Sequence, residues 1–156
     1  MNRNLWSTLS LILILPIVAM AEDKPAVKLA EEIVTKGAAL FDTRDAAAMA
    51  ATYTENARLT WYGRDESTSE VTANAKEGRA LIEGEYRDMF KDKNEKTTSR
   101  NIVESAAFVT PEILMIQGTF QPDVANAGKY PFIQIRVKKG EKWLVKDMQI
   151  FVISRD

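Results

Sequence analysis

The chain has 156 residues, 21 Lys and Arg against 22 Asp and Glu, and neither cysteine nor histidine. Those two absences remove disulfides, thiolate nucleophiles, lipid-modified cysteine, Cys/His metal sites, the imidazole proton shuttle and every relay that needs a His base. A hydrophobic fraction of 46% with 28% charged residues is the balance of one globular domain, and a net charge of −1 gives no basic field for nucleic acid.

Residues 1–21 read as a secretory signal peptide. Arg3 lies in a short polar start, the apolar run 5–18 carries Pro16 near its end, and Ala19-Met20-Ala21 offers small residues to a signal peptidase. The run falls short of the roughly 18 to 20 residues that span a bilayer. Cleavage before Glu22 is expected, leaving one exported domain over 22–156, periplasmic or secreted and free of the membrane.

Asp23-Lys24-Pro25 opens a first helix. Val27, Ala30, Ile33, Val34, Gly37, Leu40 and Phe41 then recur at three- and four-residue intervals, which makes one buried stripe. Asp45 is placed to cap a short Ala-rich helix over 46–53. Residues 58–62 read as a strand in which Leu59 and Trp61 share a face with Ala57. The polar stretch 64–77 reads as a solvated loop, with a weak strand around Val71 as the alternative. Its Asp65, Glu66 and Glu70 are read as solvated charges, because a hard cation needs many oxygen ligands. After Gly78, the positions Leu81, Ile82, Tyr86, Met89 and Phe90 mark a third helix, with Glu83 and Arg87 spaced for an ion pair. Four strands follow at 97–109, 113–120, 130–138 and 143–153, joined as an antiparallel meander.

Alternate residues divide the last three strands into two surfaces. One holds Leu114, Ile116, Gly118 and Phe120, then Ile133, Ile135 and Val137, then Leu144, Lys146, Met148, Ile150 and Val152. The other holds Ile113, Met115, Gln117 and Thr119, then Tyr130, Phe132, Gln134 and Arg136, then Trp143, Val145, Asp147, Gln149 and Phe151. The aliphatic surface is expected to face the helices. The mixed one is rich in the residue types of association surfaces, so Tyr130, Phe132, Arg136, Trp143 and Phe151 are expected to form a homodimer interface. A partly wetted monomer face is the alternative.

Several segments resemble the nuclear transport factor 2-like superfamily, and within it the SnoaL-like group with its secreted branch. They are Phe41-Asp42-Thr43-Arg44-Asp45-Ala46-Ala47-Ala48-Met49, Tyr53-Thr54-Glu55-Asn56-Ala57, Gly78-Arg79-Ala80-Leu81-Ile82, Phe108-Val109-Thr110-Pro111-Glu112 and Gly140-Glu141-Lys142-Trp143-Leu144-Val145. The resemblance implies an α+β fold, a cone-shaped curved antiparallel sheet wrapped around three helices from the N-terminal half. It also implies a pocket inside the cone. Where the similar ketosteroid isomerase carries its Asp base, this chain has Trp61. Two of that enzyme's pocket tyrosines match Tyr53 and Tyr86, and a third falls at Gly37. Catalytic residues are therefore not expected. With no glycine-rich dinucleotide turn, P-loop or EF-hand loop, neither is a cofactor or metal.

The candidate pocket consists of Tyr53, Trp61, Tyr86, Phe90, Ile116, Ile135, Met148 and Ile150, with Lys146 at its mouth for an anionic head group. The plainer alternatives are that the apolar residues fill the cone as core and that Lys146 reaches to water. Three functions remain open: a non-catalytic domain binding a small hydrophobic molecule, an isomerase or lyase using Tyr53 and Tyr86 with a carboxylate from 64–77, and an interaction module working through the outer sheet face.

Overall fold

The computed structural model describes residues 23–65, 67–91, 97–124 and 127–152; the expected signal peptide, Glu66 and Ile153 lie outside them. Asp23 caps α1 (Lys24–Asp42), its carboxylate accepting from Ala26 N at 3.3 Å, with Pro25 in the first turn. The buried positions of α1 are Ala26, Ala30, Val34 and Ala38. Three of these four are alanines, so the helix axis can approach the sheet closely. Asp45 caps α2 (Ala46–Ala51) through Ala48 N at 2.9 Å. This helix is shorter than 46–53, because Tyr53 already belongs to β1 (Tyr53–Arg64), where it pairs with Val145.

The stretch read as a solvated loop contains a seven-residue strand, β2 (Val71–Glu77), hydrogen-bonded antiparallel to β1. Its residues are exposed except for a half-buried Lys76, which is why the sequence shows no apolar period. Charged and polar side chains suit a sheet edge that must not recruit another chain. Asp65 turns the chain between the two strands: its carboxylate accepts from Ser67 N, Ser67 Oγ and Thr68 N, which holds its pKa down at about 2. Gly78, with φ 89°, leads into α3 (Arg79–Lys91), where Glu83 and Arg87 form the expected ion pair.

The meander follows as β3 (Ser99–Thr110), β4 (Ile113–Pro122), β5 (Tyr130–Lys139) and β6 (Lys142–Phe151). The six strands form one open sheet in the order β2-β1-β6-β5-β4-β3, antiparallel except where β1 runs parallel to β6. Two buried clusters join the helices to its inner face. Ala26, Ala30 and Val34 of α1 pack on Ala106, Leu114, Ile116 and Phe132, and Met49, Ile82 and Tyr86 of α2 and α3 pack on Tyr53, Ala57, Leu59 and Val145. Asp42 ties the end of α1 to β3, accepting from Ser99 N at 2.9 Å and Ser99 Oγ at 2.7 Å.

The strand faces differ from the expected ones in β5 and in half of β6. Phe132, Gln134 and Arg136 are buried, while Ile133, Ile135 and Val137 are only half-buried and lie on the outer surface. The ladder sets this: Leu114 pairs with Arg136, Ile116 with Gln134 and Gly118 with Phe132, so those residues share the inner face. In β6 the inner residues are Trp143 and Val145, then Met148 and Ile150. The phase changes at Lys146, one extra residue between the pairs Arg136–Val145 and Ile135–Asp147. A bulge of this kind moves every following side chain to the opposite face.

Gly118 is required by close approach: a Cβ there would meet the carbonyl oxygen of Ile102 and lie 2.7 Å from the Phe132 ring. Gly118→Ala is expected to destabilise the chain by about 1–3 kcal/mol, as overpacking of a filled interior does, read as a lower urea midpoint with an unchanged slope. A midpoint equal to that of the parent would contradict the placement of Phe132.

Candidate functional site

Between the helices and the concave face lies a cavity of about 870 Å³. Its walls come from α1 (Ile33, Gly37, Phe41), α2 (Met49), α3 (Tyr86, Met89) and the inner positions of β1, β4, β5 and β6. The volume is in the range of small-molecule sites, and the lining is mainly apolar with a few polar groups gathered together.

The polar group begins with Tyr53 and Tyr86. Tyr53 stands at the start of β1, its carbonyl gripped by Arg79 Nε at 3.0 Å and Nη2 at 2.6 Å, and Tyr86 comes from the inner side of α3. Their hydroxyls meet at 2.7 Å, and both side chains are buried. Two phenols carry two protons and this contact uses one, so one O–H remains to donate elsewhere. Burial pushes Tyr53 up to about 12 and Tyr86 well above its usual value.

Arg136 completes the cluster. It is 7% exposed, donates from Nε to Gln134 Oε1 at 2.8 Å and from Nη1 to the Trp143 carbonyl at 3.1 Å, and its charge acts on both phenols. Burial draws its pKa down to about 10, which leaves it cationic at neutral pH. Among the described residues no ion pair includes it. The carboxylates on the cavity's lining are Glu32 and Glu141, both exposed, and among the described residues neither tyrosine hydroxyl is hydrogen-bonded to a carboxylate. Trp61 forms another part of the wall, its indole nitrogen enclosed without an acceptor.

Of the expected pocket residues, Tyr53, Trp61, Tyr86, Met148 and Ile150 are brought together on the wall. Phe90 and Ile116 lie behind it: Phe90 packs against Phe41 and Tyr86 with ring centroids 5.2 and 5.9 Å apart, and Ile116 is wholly buried against α1. Ile135 is on the outer face. Lys146 stands on the bulge away from the cavity and donates to Asn56 O at 2.8 Å, bridging the irregular turns of β1 and β6. The expected interface residues Tyr130, Phe132, Arg136 and Trp143 line the cavity, because β5 and the first half of β6 face the other way. Phe151 remains outside, stacked on Tyr62 at 5.1 Å. Gln134 and Arg136 are the site residues that sequence reasoning missed as such. The signal available was the two-residue turn Gly140-Glu141, which puts Arg136 opposite Val145 but leaves open which side that row faces.

No family model matches the sequence, and no curated protein does. Solved structures do. A protein of unknown function from Shewanella oneidensis, described as like nuclear transport factor 2, superposes with a TM-score of 0.61 at 12% identity, over 81% of this chain and 98% of that one. A candidate scytalone dehydratase from Novosphingobium aromaticivorans gives 0.62 at 13%, over 82% and 85%. A protein of unknown function with a cystatin-like fold from Nostoc punctiforme gives 0.58 at 13%, over 83% and 76%. The chain has the nuclear transport factor 2-like fold.

The tyrosine pair has a consequence at high pH. The folded pKa of Tyr53, about 12, exceeds its ordinary 10.0, so the folded chain keeps a proton that the unfolded chain releases. That contribution to stability is present below pH 10 and is lost as pH rises through 12. Arg136 acts with the opposite sign, since its value falls from 12.5 to about 10. A spectrophotometric titration reads the phenols alone: Tyr53→Phe and Tyr86→Phe should each remove a phenol that resists ionisation at pH 10 in the folded chain and ionises there in urea. Ordinary ionisation of both in the folded chain would contradict the buried pair.

Proposed function

We propose that this chain is an exported, non-catalytic binding domain that holds a small hydrophobic molecule inside the cone and associates as a homodimer through the outer face of its sheet. The observation that carries the binding reading is the cavity of about 870 Å³ with Trp61, Phe132, Met148 and Ile150 on its wall, a volume that packing would otherwise have filled. Export follows from the signal-like residues 1–21. A reaction that moves protons would need a base beside the tyrosine pair, and the cavity's carboxylates are both exposed. The pair itself is suited to hydrogen-bonding an oxygen of a ligand.

The dimer surface in this proposal is the opposite of the one the sequence pattern suggests. Ile113, Met115, Ile133, Ile135, Val137 and Leu144 form a contiguous aliphatic patch on the outer face, half-buried and covered by no helix among the described residues. Patches of this kind on soluble chains mark contacts with another molecule. A second copy offers the same neutral aliphatic surface.

For the cavity, titration of the processed chain with the neutral dye Nile red should show saturable, blue-shifted emission at one site per chain. Trp61→Ala should weaken it at least about fivefold through the lost apolar contact. Emission that does not saturate, or that Trp61→Ala leaves unchanged, would remove the binding reading. For the interface, sedimentation should give a dimer at micromolar concentration and a folded monomer for Ile135→Lys; a monomeric parent chain would remove the dimer.

A further inference from the structure

We infer that the ligand of this cavity is an organic monocarboxylate, its head group serving as the counter-ion of Arg136 and its apolar body lying along Met148, Phe132 and Ile150. The inference rests on the reading of the cavity as a ligand site and adds the chemistry of what enters it.

The ladder arranges the inner face in rows. Tyr53, Val145 and Arg136 form one, Leu59, Met148 and Gln134 the next, and Trp61, Ile150 and Phe132 the third. The first row holds the guanidinium and one phenol, and Tyr86 joins it from α3. The third row is wholly aromatic and aliphatic apart from the enclosed indole nitrogen. Arg136 and Phe132 are four residues apart on β5, a backbone distance of about 13 Å. The cavity is therefore cationic at its Arg136 end and apolar along the Trp61, Ile150 and Phe132 row, with Tyr130, Phe120 and Asn101 in the row beyond, and a complementary ligand carries its charge at one end and an apolar body next to it.

The charge decides what the polar end takes. A guanidinium taken out of water costs several kcal/mol unless it is paired, and the two acceptors Arg136 has, Gln134 Oε1 and the Trp143 carbonyl, are both neutral. The protein places a buried cation on the wall of a hollow and supplies no anion with it among the described residues. The phenol proton that the tyrosine pair leaves unused is a second donor in the same cluster. A buried guanidinium with no carboxylate beside it among the described residues attracts an oxyanion and repels an ammonium. A single cation on the buried wall balances one negative charge, which suits a carboxylate and leaves a phosphate dianion half neutralised. The lysines on the lining, Lys36 and Lys142, are exposed.

The test compares naphthoate, naphthamide and naphthyl phosphate by calorimetry on the processed chain. These probes share one apolar body and differ in the head. Naphthoate should bind about tenfold or more tighter than the amide, as a charge-assisted hydrogen bond provides, and tighter than the phosphate. In Arg136→Gln the acid and the amide should bind equally, with the amide's affinity kept. Should that variant not fold, the comparison among probes on the parent chain, together with a shift of the Arg136 guanidinium proton resonances on adding naphthoate but not naphthamide, carries the same decision. Equal binding of acid and amide by the parent chain, or tighter binding of the phosphate, overturns the inference while leaving the cavity a ligand site. Binding of none of the three, combined with no Nile red site, removes the cavity reading itself.

Discussion

The interior of this protein depends on one extra residue in β6. Lys146 is the bulge, and because of it both Val145 before it and Met148 after it point into the cone, although they are three residues apart. A regular strand would turn one of the two outward. The opposing strand answers with its own irregularity: between Tyr53 and Arg58 β1 has more residues than β6 spans from Val145 to Asp147, and Lys146 Nζ closes the gap on Asn56 O. Bulges bend a strand and increase its twist. Here the double irregularity lets the sheet curve around the helices, and it brings the start of β1, with Tyr53, into the same row as Arg136.

That curvature leaves a hollow, and what surrounds the hollow explains both its stability and its chemistry. Firm packing lies at the two sides, where alanines of α1 approach β3 and β4 and where α2 and α3 close on β1. Phe41 is the joint between them, meeting Phe90 at 5.2 Å and Phe120 at 5.1 Å edge-on. With the walls held from outside, the groups facing the hollow need not fill it. Polar residues can point inward there with part of their hydrogen bonding met, Tyr53 by Tyr86 and Arg136 by Gln134 and the Trp143 carbonyl, while the guanidinium charge has no carboxylate beside it among the described residues.

The same arrangement inverts the ordinary reading of a strand. In most sheets the aliphatic side of a strand is the inner one. In β5 the inner side is Phe132, Gln134 and Arg136, and the aliphatic side of Ile133, Ile135 and Val137 is turned away from the helices. One sheet therefore has two unlike surfaces: a concave one that carries polar and charged groups and faces a hollow, and a convex one that carries an aliphatic patch.

The helices were legible because each reports itself locally. Asp23 and Asp45 cap through their own side chains, the stripe of α1 has a period only a helix can satisfy, and Glu83 with Arg87 needs one turn to meet. The order of elements and the meander were legible from turns and alternation, and the resemblance to the nuclear transport factor 2-like superfamily implied a pocket around Tyr53, Trp61, Tyr86, Met148 and Ile150, which lie on the cavity wall. Edge strand β2 was nearly silent, since among the described residues only its Lys76, paired with Glu85 of α3, is half-buried and no apolar period is needed. The facing of β5 could not be read at all: both of its sides carry apolar residues, and the seven-residue connection from β4 leaves the register between them free. Alternation in a sequence states that two faces differ, and the choice between them belongs to the ladder. Only when Leu114 pairs with Arg136 and a single residue bulges at Lys146 does a buried cation arrive beside two phenols. The sequence by itself determined a helix-covered sheet and most of its apolar interior, through local periodicity and capping. Tertiary structure alone decided where the charge sits, because strand register is a contact between residues far apart in the chain.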